Sequence, residues 1–401
     1  MKSKIIALAL FVSTIGIVAF YPAERVVGAN TGSNGGVSTI NVQTAGRSRI
    51  DVVFVLDTTG SMGGMIEAAK EKIWSIASTM ATAQPTPEIR MGLVAYRDRG
   101  DAYVTRVFDL SSDLDSMYAE LMDFRAGGGG DGPESVNEAL HDAVHKMSWS
   151  QDAQAYRVLF LVGDAPPHMD YQDDVKYKDT VAVALHKGIT INTIQCGKDG
   201  STKRRWEQIA QLADGRYFRV EQSGSAVAIT TPYDKKLAEL SKELDGTRLY
   251  YGDEEEKKQQ KRKVAAAEKL HTGSSVASRA RRATFNASKG GESNFLGDGE
   301  LVEDVARGRV DLSDIDQDML PEPMQSMAPA DRDALVAKTA KRRSELQRQI
   351  KDLAGERSGF LEKKRDSIEG VEASLDDQIY TTVREQVEAQ GMKLEAEMPA
   401  Y

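Results

Sequence analysis

The sequence has almost no cysteine, fewer positive than negative charges and, after its first residues, no long apolar run. Cys196 is the single cysteine in 401 residues, so no intramolecular disulfide forms and packing must hold the fold. It closes the run "GITINTIQC", where a buried structural thiol is the expected state. Lys and Arg total 52 against 61 Asp and Glu, and a net charge of -9 disfavours nucleic acid as a partner. Beyond Tyr21 no stretch approaches the roughly 20 apolar residues needed to cross a bilayer. No motif ties a histidine to Ser61, so a Ser-His-Asp arrangement finds no support. The "GGGGDG" loop lacks the lysine and hydroxyl of a phosphate-binding loop.

The start of the chain carries an export pattern. Lys2 and Lys4 precede an uncharged run from Ile5 to Tyr21, and Val27-Gly28-Ala29 supplies small residues for cleavage. Residues 1–29 thus read as a signal peptide or as an uncleaved membrane anchor. Either one places the chain in the periplasm or at the cell surface. Residues 30–48 are rich in Gly, Ser, Thr and Asn, the composition of a flexible tether.

From residue 49 to 222 strand and helix patterns alternate. "IDVVFVL" is a continuous apolar run, as expected of a strand covered on both faces. Met62, Met65, Ile66, Ala69, Ile73 and Ile76 then recur at helical spacing. "IRMGLVAY" and "AYVTRVFDL" flank the short polar turn "RDRGD", which predicts an antiparallel pair at one edge. "SVNEALHDAVHKM", "YRVLFLVGDAPPH", "TVAVALHKG", "ITINTIQCG" and "WEQIAQLADG" continue the alternation. The expected fold is a doubly wound α/β domain with a mostly parallel sheet between helices.

The remainder reads as a charged helical extension. Residues 223–250 include an amphipathic helix with Leu237, Leu240 and Leu244 on one face. Lys257 to Lys289 holds ten basic residues against Glu268, and Glu292 to Glu322 holds ten acids against Arg307 and Arg309. Residues 251–330 are therefore expected to form a charged linker, basic then acidic, whose basic half suits anionic lipid or an acidic partner. Residues 331–398 suggest two helices. The first carries Leu346, Ile350 and Leu353 and is interrupted at Gly355 and Gly359. The second carries Ile368, Val371, Leu375, Ile379, Val383 and Val387. A hairpin or coiled-coil-like pair is the expectation, with self-association through the stripe as the alternative.

Chemistry concentrates at the ends of two strands. In an open parallel sheet, ligands bind beyond the carboxyl ends of the strands where their order reverses. Asp57 follows "VVFVL" and Asp164 follows "VLFLVG", while Asp131 sits in a glycine-rich loop able to reach the same edge. Thr59 and Ser61 add hydroxyl oxygens beside Asp57. Carboxylates this close repel unless protonated or bridged by a cation. Oxygen donors with room left for water suit Mg²⁺, with Mn²⁺ or Ca²⁺ as alternatives. His168, a lone loop histidine, is expected at the surface. His141 and His145 lie one helical turn apart, a spacing that can bind zinc, but no third ligand accompanies them.

These residues resemble the von Willebrand factor A domain family, in its bacterial exported type with a metal-ion-dependent adhesion site. "DTTGS" matches the family's Asp-x-Ser/Thr-x-Ser loop at Asp57, Thr59 and Ser61, and the two later loops map to Asp131 and Asp164. The resemblance covers roughly residues 48–222. It implies a non-catalytic domain that binds a protein whose Asp or Glu completes the metal shell. A carboxylate at Asp131, where adhesion proteins carry threonine, should hold the metal more firmly and attract an incoming acid less strongly.

Two other readings use the same residues. "VLDTTGS" also resembles the phosphorylation loop of P-type ATPases, and "LVGDAPPHMD" a motif of haloacid-dehalogenase-like phosphatases. Asp57 would then be a nucleophile, with Asp164 and Asp170 on Mg²⁺. Thr58 stands where those ATPases carry lysine, and Thr59 lacks the phosphatases' acid–base carboxylate. The third reading is an exported scaffold that oligomerises through its helical tail.

Overall fold

The computed structural model describes residues 48–130, 132–222, 229–365 and 375–395. The proposed signal and tether, residue 131, and Ile368 and Val371 of the last helical stripe lie outside them. Among the described residues, no helix is long and apolar enough to cross a membrane.

Six strands form one sheet in the order β4-β3-β1-β5-β6-β7. These are β1 (Arg49–Asp57), β3 (Glu88–Tyr96), β4 (Thr105–Ser111), β5 (Tyr156–Gly163), β6 (Ile189–Cys196) and β7 (Tyr217–Val220). All neighbours are parallel except β3 and β4, which pair antiparallel as the short turn predicts. A doubly wound, mostly parallel sheet between helices is therefore the architecture. The chain runs outward from β1 to β3, then returns to β1's other side as β5. That reversal sits at the ends carrying Asp57 and Asp164.

The strand run "VVFVL" is apolar throughout because both faces are covered. Val52 and Leu56 join one core with α1 (Gly63–Met80) and α2 (Leu114–Asp123). Val53 and Val55 join the other with α3 (Val136–His145), α4 (Tyr177–His186) and α5 (Gly200–Leu212). Cys196 is buried and free, as expected.

The expected charged linker is folded. α6 (Asp234–Asp245) is followed by α7 (Glu254–Gly273), α8 (Val276–Asn286), α9 (Glu292–Leu296) and α10 (Leu301–Ala306). Leu237, Leu240 and Leu244 pack with Ala280, Ala283 and Phe295. Leu301, Leu312 and Leu320 form a smaller core. The charge count hid these helices because small and apolar residues take the inner faces, while several basic residues are buried as ion pairs. Arg282 is fully buried, with Nε 2.6 Å from Asp115 Oδ1 on α2 and Nη1 2.8 Å from Asp245 Oδ2 on α6. Despite the burial of Asp245, Arg282, Arg248 and His271 hold its carboxyl well below the usual range.

The long helix α12 (Pro329–Arg365) runs through Gly355 and Gly359 without the expected break, in the stretch after a short helix α11 (Glu322–Gln325). Leu346, Ile350 and the ion-paired Arg343 anchor it before the glycines, the ion-paired Arg357 between them and the buried Leu361 after them. Such packing overrides a glycine penalty of about 1 kcal/mol per residue.

α12 and α13 (Leu375–Ala389) take different neighbours. α12 packs on α6, α8 and α10, whereas α13 packs on α1. Ile379, Val383 and Val387 of α13 enter the main sheet core, each at most 2% exposed. The described part of that stripe is thus covered within the chain. Lys72 of α1 and Asp376 of α13, both buried, lie 2.6 Å apart. A two-residue strand β8 (Lys393–Leu394) then pairs antiparallel with β2 (Ala83–Gln84).

Candidate metal centre

β1 and β5 run side by side with Leu56 opposite Val162, so Asp57 and Asp164 emerge together at one sheet edge. Asp57 is fully buried. Its Oδ1 accepts from Thr59 N at 2.8 Å and Thr59 Oγ1 at 2.7 Å, while Oδ2 has no hydrogen-bond partner among the described residues. Burial pushes this carboxyl up to about 7; the Thr59 bonds oppose the rise and the nearby Asp164 adds to it. Gly163 permits the close approach of the two strand ends. A methyl group there would stand 3.1 Å from Asp57 Oδ2 and 2.5 Å from the Tyr96 hydroxyl.

The Thr59 and Ser61 hydroxyls lie 3.5 Å apart, the first buried and the second exposed. Asp164 is half-buried, and its Oδ2 accepts from Gln222 Nε2 at 2.6 Å. The same Nε2 lies 3.2 Å from the Ser61 carbonyl. Gln222 thereby ties the first loop to the third. Asp57, Thr59, Ser61 and Asp164, named from sequence, all belong to this cluster of loops. Asp131 lies outside the described residues.

Glu134, three residues after Asp131, is an acid that sequence reasoning missed. Its amide donates to the Pro166 carbonyl at 2.9 Å and its carbonyl accepts from His168 N at 3.1 Å. These bonds pin the second loop to the segment following Asp164. The Glu134 residue is 3% exposed and its Oε2 has no hydrogen-bond partner among the described residues. Burial, reinforced by Asp57 and then by Asp98, Asp101 and Asp164, pushes it up to about 9. Gly129, at φ 79°, lets the glycine loop pass between the first and second loops. A methyl there would sit 3.2 Å from both Glu134 Oε1 and Thr59 Cβ. The only sequence signal for Glu134 was its place two residues ahead of a helix in the acidic loop.

Outer residues hold these loops. Asp98 accepts from Ser135 Oγ at 2.9 Å and from the Tyr171 hydroxyl at 3.0 Å. His168 is buried rather than at the surface, between Asp98 and Asp170, with its ring stacked 4.0 Å from that of Tyr171. Arg97 donates to the Thr58 carbonyl and packs on Tyr103, whose hydroxyl lies 2.7 Å from Thr58 Oγ1. Away from the centre, the His141 and His145 rings stack on each other at 4.2 Å.

Oxygen donors dominate this edge, which suits a hard cation. Among the described residues, no three His, Cys, Asp or Glu side chains gather closely enough to hold an ion alone. The Thr59 and Ser61 hydroxyls and water would have to complete a shell. The buried, partnerless oxygens of Asp57 and Glu134 fit such an ion, since a cation gives both the compensation that no donor here supplies.

Residues 51–232 match the family model described as von Willebrand factor A domain. Over this segment the chain is similar to von Willebrand factor A domains. Among curated relatives, the alpha-protein kinase vwkA of Dictyostelium discoideum is 31% identical over 121 residues, 30% of this chain and 19% of that protein. The von Willebrand factor A domain-containing protein 7 of Homo sapiens is 38% identical over 114 residues, 28% of this chain and 12% of that protein. The matches thus span less than a fifth of either relative's length. Among solved structures, proximal thread matrix protein 1 from the mussel byssus is 15% identical, with a TM-score of 0.34, over 43% of this chain and 42% of its own.

Proposed function

We propose that this von Willebrand factor A domain binds one divalent cation, Mg²⁺ in preference to Mn²⁺ or Ca²⁺, and uses the site to bind another protein without catalysis. Asp57, Thr59, Ser61, Glu134 and Asp164 would hold the ion, with Asp131 in the adjoining loop. The observation that carries this reading is the pair of buried, partnerless carboxylate oxygens on Asp57 and Glu134. Left charged and alone, each costs about 1–3 kcal/mol or more. When bound, the cation neutralises these acids and offers a coordination position to a partner's Asp or Glu. The chain's own residues do the positioning. Thr59 orients Asp57, Gln222 fixes Asp164, and the Pro166 carbonyl fixes the Glu134 backbone.

Three carboxylates, Asp57, Glu134 and Asp164, beside the neutral hydroxyls would hold the ion firmly and lower its pull on an incoming acid. We expect modest affinity, helped by contacts around the ion. Export to the periplasm or cell surface belongs to the same proposal and rests on Lys2, Lys4 and the uncharged run after them. Calorimetric titration of the full chain with MgCl₂ tests the metal claim. We expect one site in the wild type and none after Asp57→Ala. Silence in the wild type, or equal binding by both proteins, overturns it.

A further inference from the structure

A groove of about 590 Å³ opens beside the metal centre. Pro133, Pro166, Pro167 and Met169 line one side, and Arg204 and Arg205 of α5 line the other. Its walls are the segments that carry the site's acids. Pro133 directly precedes Glu134, and Pro166 lies two residues after Asp164. The walls are also locked together. Thr202 Oγ1 donates to the Asp164 carbonyl at 3.0 Å, and the indole of the fully buried Trp206 donates to the Ala165 carbonyl at 3.2 Å. The groove is thus formed before any partner arrives, which lowers the ordering cost of binding.

Its chemistry is asymmetric. Three prolines offer ring surface and no backbone N–H, and Met169 adds an adaptable apolar contact. Across from them, the run Lys203-Arg204-Arg205 stands out in a chain of net charge -9. Lys203 lies 3.6 Å from Glu207, whereas among the described residues neither arginine has an ion pair. Arg205 donates only to the neutral Tyr177 hydroxyl, at 3.3 Å, and Arg204 is exposed. Among the described residues, the one acid lining the groove is Asp170, which is engaged by His168 at 2.8 Å. Two uncompensated guanidinium groups facing an apolar wall call for an occupant that is anionic on one side and apolar on the other.

We propose that this groove receives a segment of the partner protein in which an apolar residue is flanked by two acids. The apolar side chain lies on the prolines, and one carboxylate meets Arg204 and Arg205. The other carboxylate reaches the cation, a part that rests on the metal-binding reading above. The second contact supplies affinity and choice of partner where the heavily acidic ion site supplies little.

The test is a random linear peptide library on phage, panned against the full chain in MgCl₂ and against Arg204→Glu. Circular dichroism and the unfolding midpoint report that the variant is folded. We expect an acid–apolar–acid consensus on the wild type, and about tenfold weaker binding of a synthetic consensus peptide to Arg204→Glu. Arg204→Lys should bind between the two, since it keeps the charge and loses the fork. A consensus without acids, enrichment equal on both proteins, or no enrichment on the wild type overturns the groove. The two readings fail separately. Peptides that bind equally in EDTA yet remain sensitive to Arg204→Glu sink the metal contact and leave the groove standing. Peptides that need Mg²⁺ but ignore Arg204→Glu do the reverse.

Discussion

Two clusters of buried carboxylates among the described residues are treated in opposite ways. Between α2, α6 and α8, Asp115 and Asp245 are gripped by the buried Arg282, and Ser241 takes a further guanidinium donor. At the end of the sheet, no Lys or Arg among the described residues pairs with Asp57 or Glu134, and both carboxyls are pushed toward protonation. The chain has the arginines to neutralise buried acids and uses them in its helical extension. At the sheet edge it withholds them, although Arg97 and Arg99 are near in sequence. Arg97 turns to the Thr58 carbonyl, and Arg99 pairs with Asp173. Withheld compensation marks the place where something else is to bind.

The largest blow to that comparison comes from the paired side. Arg282→Met leaves Asp115 buried without its cation and takes one of three partners from Asp245, and it should cost about 3–5 kcal/mol in urea unfolding. A loss under about 1 kcal/mol would mean that the cluster is wet and the contrast with the sheet edge false.

The unpaired side should respond with the opposite sign. In EDTA, Asp57 and Glu134 hold their protons in the folded chain up to about pH 7 and about pH 9. Unfolded, they release them near pH 4. The folded chain therefore binds more protons across that window, and its stability falls as pH rises through it. Asp245, held low, acts in the other sense and loses its contribution only as pH falls below about 4. Asp57→Asn should flatten the neutral-pH decline and raise apo stability at pH 8 by about 2–4 kcal/mol, while abolishing any rise in Tm on adding MgCl₂. An unchanged pH profile would show that Asp57 is hydrated rather than stranded.

The smallest effect concerns the frame. Gly355 is exposed within α12, and nothing lies within 4 Å of where a methyl group would stand. Gly355→Ala should stabilise by about 0.5–1 kcal/mol without touching Mg²⁺ binding. Destabilisation instead would reveal a bend that the extension needs.

Asp57 and Asp164 were legible in the sequence because each ends an apolar strand too uniform to be anything but central. Thr59 and Ser61 followed from their spacing. Glu134 was not legible, since one-dimensional spacing cannot separate it from Asp131 in the same loop. Its bond to the Pro166 carbonyl crosses to another loop. His168 was misplaced for the same reason, its burial being set by Asp98 and Tyr171 at a distance. In the extension, the stripe of Ile379, Val383 and Val387 announced an apolar face but not which surface covers it. Residues 251–330 failed most completely. Net charge counts residues of either face alike, so Ala280 and Ala283 were lost among lysines and arginines and Phe295 among acids.

The pairing of Gln84 with Lys393 has a consequence for how the molecule comes into being. The family match ends at residue 232, yet the core beneath α1 is closed by Ile379, Val383, Val387 and Leu394. During synthesis, at about 5–20 residues per second, the sheet would exist for many seconds before its last cover emerged. The interval leaves an apolar face of α1 open to chaperones or to premature aggregation. A fragment cut at the family boundary would remain in that unfinished state.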